Sequence, residues 1–193
     1  MHRLSSSFIL GYHGCDRRVA EKLLNGTPFA ASENDWDWLG SGVYFWEANP
    51  LRGIEFAREW QQKGRIIEPY VVGAVIDLGF CLDLISSNGV AAVKSAYGDF
   101  LAYAEEAGVR VPKNRGGNDR LRRELDCAVI NHLHKVRDAT ALTPFDNVRG
   151  VFIEGERIYP EAGFFEKTHI QICVRNIACI KGVFRVSDDQ MQI

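Results

Sequence analysis

The chain reads as an α+β protein with largely antiparallel sheets, and three observations carry that expectation. Strand-like segments gather at both ends of the 193 residues, with helical segments mostly between them. Regular β-α-β alternation, the mark of a parallel α/β sheet, is absent. The one glycine cluster beside a strand, Gly40-Ser41-Gly42, precedes that strand, whereas a phosphate-cradling Rossmann loop follows a strand and opens a helix. Apolar residues make up 46% and charged residues 25%, which suits a folded globular chain and argues against disorder, collagen-like repeats and coiled-coil rods. The length favours one domain over residues 1–193, with a helical segment over about 86–137. Lys plus Arg number 23 against 25 Asp plus Glu, a net charge of −2, so no global field holds nucleic acid or an anionic membrane.

Each element has its own signal. FILGYHG, from Phe8 to Gly14, predicts a strand, and DRRVAEKLLNG predicts a helix with Val19, Leu23 and Leu24 on one face and Gly26 as its stop. TPFAASENDWDWLGSG predicts a loop of about 14 residues, long enough to suggest a job. The short strand Gly42 to Trp46 follows, then a helix capped by Asn49 with Pro50 in its first turn, burying Ile54, Ala57 and Trp60. Tyr70 to Asp77 and Phe80 to Leu84, broken by Gly79, suit one long bent strand or two joined strands. One helix is expected over roughly Gly89 to Ala107. A second starts at Asn118, with Leu121, Leu125, Val129, Leu133 and Val136 at helical spacing. VRGVFIEG, THIQICVR and CIKGVFRV return to strand, and no internal repeat is present.

Cys15, Cys81, Cys127, Cys173 and Cys179 form an odd set without a CxxC pair, so they read as buried small hydrophobes in a reducing compartment and not as a metal site. The apolar stretch Phe8 to Gly11 falls short of the roughly 7–15 residues of a signal peptide core. Tyr70 to Ile76 is far below the roughly 20 residues of a membrane span. A cytoplasmic protein without a membrane partner is the expectation.

Three segments set a polar group in an apolar strand: YHGC at Tyr12 to Cys15, LGSGVYFW at Leu39 to Trp46, and THIQICVR at Thr168 to Arg175. An unpaired buried polar group costs about 1–3 kcal/mol, so such groups need partners. Singly, His13 also reads as a satisfied core histidine, Tyr44 as core and Gln171 as an edge residue. Together, in this order, they resemble the ADP-ribosyltransferases of the diphtheria-toxin and poly(ADP-ribose) polymerase type, with LGSGVYF the most specific part.

The resemblance implies two crossed, mostly antiparallel sheets forming an NAD cleft, with a helical insertion. By resemblance, His13 would hydrogen-bond the adenosine ribose, and the backbone of Gly14 would hold the nicotinamide carboxamide, its missing Cβ allowing close approach. Tyr44 would stack on the nicotinamide ring, whose positive charge an aromatic face favours by about 0.5–2 kcal/mol. Phe56, one position off the family spacing, is the candidate second aromatic. The family's third position is commonly Glu, and here Gln171 matches it. Its amide oxygen could accept from the nicotinamide ribose, but Gln is no general base, which disfavours polymer formation and leaves single ADP-ribose transfer. Glu166 is the fallback carboxylate, with a solvated loop charge as its other reading. No metal is needed.

Trp36 and Trp38 read either as a lid over NAD or as a core plug, and Phe164 and Phe165 as an acceptor-gripping turn. Arg110, Lys113, Arg115, Arg120, Arg122 and Arg123, against Asp119 and Glu124, form the one basic patch, either a solvated helix start or a phosphate contact. His132 and His134, two apart on a helix, make a poor metal pair. Cys15 is set aside as partner of a His13 dyad on the expectation that the two side chains point apart. The leading expectation is thus a mono-ADP-ribosyltransferase, by family habit a toxin or defence effector with an antitoxin partner, acting on RNA, DNA or protein. The alternatives are a non-catalytic NAD- or ligand-binding module and an RNA 2′-phosphotransferase. The last would need several Arg and His around the cleft, which the matching strands lack.

Overall fold

A computed structural model of the chain describes residues 8–116 and 122–191. Along these run β1 (Phe8–Asp16), α1 (Arg17–Leu24), β2 (Val43–Glu47), α2 (Pro50–Gln62), β3 (Pro69–Asp77), β4 (Cys81–Asp83), α3 (Ser87–Glu106), α4 (Glu124–Ala139), β5 (Asn147–Phe152), β6 (His169–Val174) and β7 (Ile180–Arg185). The strands form one seven-stranded sheet in the order β4-β5-β6-β2-β1-β3-β7, antiparallel at every pairing except β4 with β5. This is a mixed α+β architecture with a mostly antiparallel sheet, as the element order predicted.

Local chemistry explains the helix boundaries. Asp16 Oδ1 accepts from the Arg18 amide to cap α1, and Gly26 (φ +88°) ends that region in the left-handed conformation that glycine tolerates. Asn49 Oδ1 accepts from Arg52 N ahead of Pro50 in α2, and Ser86 Oγ accepts from Gly89 N in α3. In α1 the buried residues are Ala20 and Leu23, while Val19 is 44% exposed, so the apolar stripe is displaced from the expected one. The predicted start of α4 at Asn118, and Leu121 with it, lie outside the described residues. Arg122 bridges to Arg115, and α4 begins at Glu124.

Hydrogen bonding runs through all seven strands, where the resemblance implies two sheets, yet one junction is narrow. β1 pairs with β3 along the whole of Phe8–Asp16, but with β2 only at Gly11↔Glu47 and Tyr12↔Trp46. The sheet also cannot be flat. Five strand spacings of about 4.8 Å would put β3 and β4 about 24 Å apart, whereas the link from Asp77 to Cys81 reaches at most about 14 Å. The half β4-β5-β6-β2 therefore folds back toward the half β1-β3-β7. Asn147, fully buried at the start of β5, donates to the carbonyls of Asp77 and Leu78 at the end of β3. Tyr70 to Leu84 is thus two strands on opposite halves.

One core joins β1, β2, β3 and the inner residues of β6 to α1 and α2, with Phe45, Val71, Val72, Ala74, Ile76 and Ile172 inaccessible to solvent. A second lies on the other half around Leu39, Leu82, Ile130 and Val148, and a third joins α3 to α4 through Ala96, Phe100 and Val129. Among the described residues no helix is long and apolar enough to cross a membrane.

Candidate functional site

Beside the narrow junction lies a cavity of about 470 Å³, within the roughly 300–1,000 Å³ common for small-molecule sites. Its wall includes His13, Gly14, Tyr44, Phe56 and Gln171, the sequence's catalytic and NAD-binding candidates apart from the fallback carboxylate Glu166. Strand alternation gathers several of them. Val43 and Phe45 point into the core, so Tyr44 and Trp46 take the opposite face of β2. Gln171 sits opposite Trp46, Gly150 opposite Gln171, and Phe152 opposite His169, and directly opposed residues share a face.

His13 marks where the β1–β2 ladder parts. Continued register would join Gly14 to Tyr44, but the Tyr44 carbonyl instead accepts from His13 Nδ1 at 2.9 Å. A carbonyl only accepts, so Nδ1 carries the hydrogen and Nε2 the lone pair. Nε2 has no protein partner among the described residues. Burial lowers the His13 pKa from the usual 6.5, although the bond to Tyr44 pulls the other way, and the ring is neutral at pH 7.

The glycines have structural duties of their own. A Cβ on Gly14 would lie 2.2 Å from the Gly53 carbonyl oxygen, so the close approach expected of a ligand is made here by α2. Gly40 has φ +81°, and a Cβ there would meet Asn131 Oδ1 at 2.8 Å; one on Gly42 would meet Cys173 Sγ at 2.5 Å and Val174 O at 2.7 Å. LGSGVYF is thus the sequence that lets this loop pass close to α4 and β6. The Tyr44 hydroxyl donates to Gly40 O at 2.8 Å and accepts from Leu39 N at 3.0 Å, which fixes the ring. Burial raises its pKa well above 10, so the phenol stays uncharged.

Gln171 is held from the loop: Trp38 Nε1 donates to its Oε1 at 2.6 Å. The oxygen expected to meet a ribose hydroxyl therefore already serves an indole. The Trp38 ring fills the space above Gly150, where a Cβ would stand 2.7 Å from Cη2. Trp38 is buried, whereas Trp36 is 40% exposed with Arg122 over its ring at 5.3 Å, and both line the cavity.

Phe56 belongs to an aromatic row, with Trp46 at 4.9 Å on one side and Trp60 at 5.4 Å on the other, all lining the cavity. Trp46 is a site residue that only its period-two spacing from Tyr44 marks in the sequence, and Trp60, expected in the buried stripe of α2, is partly exposed on the cavity wall. Arg52 and Glu154 were missed without a usable signal, because an arginine in a first helical turn reads as solvated. Both are buried and joined by two hydrogen bonds of 3.0 and 2.9 Å, with Glu59 at 3.3 Å from the same guanidinium and Lys167 at 3.0 Å from Glu59.

Other candidates fall outside the cavity. Glu166 is exposed and accepts from Glu156 N at 3.3 Å, a loop charge on its own hairpin. Phe164 is 66% exposed, but Phe165 is half-buried with Arg157 over its ring at 4.9 Å. Arg120 and Asp119 of the basic patch lie outside the described residues. Arg115 and Arg122 both pair with Glu124, at 2.6 and 3.3 Å, and Arg123 lies over Trp38 and Phe152. His132 packs on Phe100 and Tyr103, whereas His134 is buried against Phe145 and pushed down to about 3 by burial. Being two apart on β1, His13 and Cys15 share a strand face, which corrects the expectation that they point apart. A dyad is excluded instead by the thiol, pushed up to about 12 by burial and Asp16. Among the described residues no group of three or more His, Cys, Asp or Glu could hold a metal ion.

No family model matches the chain, and no solved structure matches it. An uncharacterized protein of Methanocaldococcus jannaschii is 26% identical, over 88% of this chain and 83% of its own.

Proposed function

We propose that the chain is an NAD-dependent mono-ADP-ribosyltransferase, passing ADP-ribose to a macromolecular acceptor, nucleic acid or protein, with release of nicotinamide. The observation that carries this reading is the convergence of His13, Gly14, Tyr44, Phe56 and Gln171, from both ends of the chain, on one cavity. A sheet folded on itself with a cleft beside its junction supports the same reading at the level of the fold. In it, His13 Nε2 accepts from an adenosine ribose hydroxyl. The pinned Tyr44 ring and Phe56 offer faces to the cationic nicotinamide. Displacement at the N-glycosidic carbon demands a stabilised oxocarbenium-like state and excluded water, and the apolar faces of Tyr44, Trp46, Phe56 and Trp60 favour the second. Position 171 supplies no base, so one transfer per acceptor is the outcome. Toxin or defence use, an antitoxin partner and a cytoplasmic setting belong to this proposal.

A second reading, a non-catalytic NAD- or ligand-binding module, is favoured by the Trp38–Gln171 bond. An amide held by its oxygen turns its electropositive end to the ligand, which does not favour a sugar gaining positive charge. Incubation of the protein with labelled NAD and separate RNA, DNA and protein fractions decides between them. Label on one fraction together with free nicotinamide supports transfer and names the acceptor class. NAD binding without nicotinamide release supports the module, and no NAD binding removes the transferase and leaves only a module for another ligand.

A further inference from the structure

We infer that Trp38 is a positioning residue: by holding the Gln171 oxygen it makes position 171 a hydrogen-bond donor, which selects an acceptor oxygen on whatever occupies the cleft. The indole N–H can only donate, so the 2.6 Å contact identifies the Gln171 atom it meets as oxygen and fixes which way the amide faces. The amide nitrogen has no protein partner among the described residues. It is also not among the buried side-chain atoms left without one, so it opens on the cavity that Gln171 lines. Trp38 is held in turn: its ring occupies the hollow over Gly150, packs on Phe152 at 5.2 Å and lies under Arg123 at 5.0 Å. The long loop before β2 thereby reaches the floor of the cleft and sets the polarity of a group on β6. Ligand oxygens of the acceptor kind, such as a ribose ring or hydroxyl oxygen, a carbonyl or a phosphate, suit this donor. A bare N–H of a ligand does not.

The bond itself is tested by nitrogen-15 NMR of the tryptophan indoles, with the Trp38 signal assigned by its loss in Trp38→Phe. In the wild type that proton is expected to exchange slowly and to move upfield in Gln171→Leu. Gln171→Glu, whose carboxylate still accepts, is expected to keep it protected. An indole signal indifferent to Gln171→Leu would overturn the inference. The ligand side rests on the NAD reading and is tested by calorimetry with NAD. Trp38→Phe and Gln171→Leu are each expected to weaken NAD binding about tenfold, and the double variant no more than either alone, because both remove one oriented donor. Wild-type affinity in a folded Trp38→Phe, or effects that multiply in the double variant, would overturn the positioning role. If the wild type itself binds no NAD, the NAD reading and the ligand side of the inference both fail, while the NMR outcome still decides whether Trp38 orients the Gln171 amide.

Discussion

His13 and Tyr44 carry the sharpest expectations among single side chains, because each touches the cleft with a group whose state is fixed. His13→Ala and Tyr44→Ala should each lower NAD use tenfold or more, on the order of 1.4 kcal/mol or above, with the fold retained. Turnover at the wild-type rate in a folded Tyr44→Ala protein, with far-ultraviolet circular dichroism as the check, would remove the site assignment. Protonating His13 turns the Nε2 acceptor into a donor. Its pKa lies below the usual 6.5, so NAD affinity should hold from neutral pH down past that value and fall only at more acid pH. Calorimetric titrations between pH 7.5 and about 5 check this, and a loss centred above 6.5 would contradict it. Gln171→Glu probes the third position, since Trp38 can hold one carboxylate oxygen and leave the other to accept from a ribose hydroxyl. Release of nicotinamide faster than in the wild type is the expected result.

At the scale of elements, Gly14 and the Arg52–Glu154 pair decide how α2 is seated. Gly14→Ala forces a methyl group against the backbone of Gly53, an overpacking that costs typically about 1–3 kcal/mol. Its urea midpoint should fall accordingly, whatever the residue does for a ligand. Glu154→Ala leaves a buried guanidinium short of its main partner, and breaking such a pair costs about 3–5 kcal/mol. An unchanged midpoint would show the pair to be idle. These elements were largely legible in the sequence, for physical reasons. Asn49 before Pro50, the Leu125-to-Leu133 spacing and the β-branched run of β3 act locally, and local rules read them. Trp38 bonding Gln171 and Arg52 burying itself on Glu154 arise only when distant segments meet. The Gly-Ser-Gly motif was visible, but its reason, the passage against Cys173 and Asn131, was not.

For the whole molecule, acid should be destabilising well before the carboxylates titrate. His13, His134 and His169 all have pKa values lowered chiefly by burial, with His134 at about 3 and both of its ring nitrogens without partners. Unfolding frees them to bind protons, so the unfolded state gains protons that the fold refuses. Stability is then full above about pH 6.5 and falls with decreasing pH, by up to about 1.4 kcal/mol per unit for a single such histidine. Urea midpoints at pH 7, 6 and 5 measure this, and a flat profile would refute the burial of these rings. The order of strands was legible only in part, because antiparallel character follows from the element sequence while the return of β4 across the molecule depends on a three-residue link. That return leaves Gly11 and Tyr12 as the spine between two leaves, one bearing His13 and the other Tyr44. Only two rungs join the leaves by backbone, so it is the core shared by Val43, Phe45 and Ile172 with Val72 and Ile76 that holds the cleft's two walls in place. Any guest gripping His13 and Tyr44 staples the leaves together, and slowed amide exchange along Val43–Glu47 is the trace it would leave.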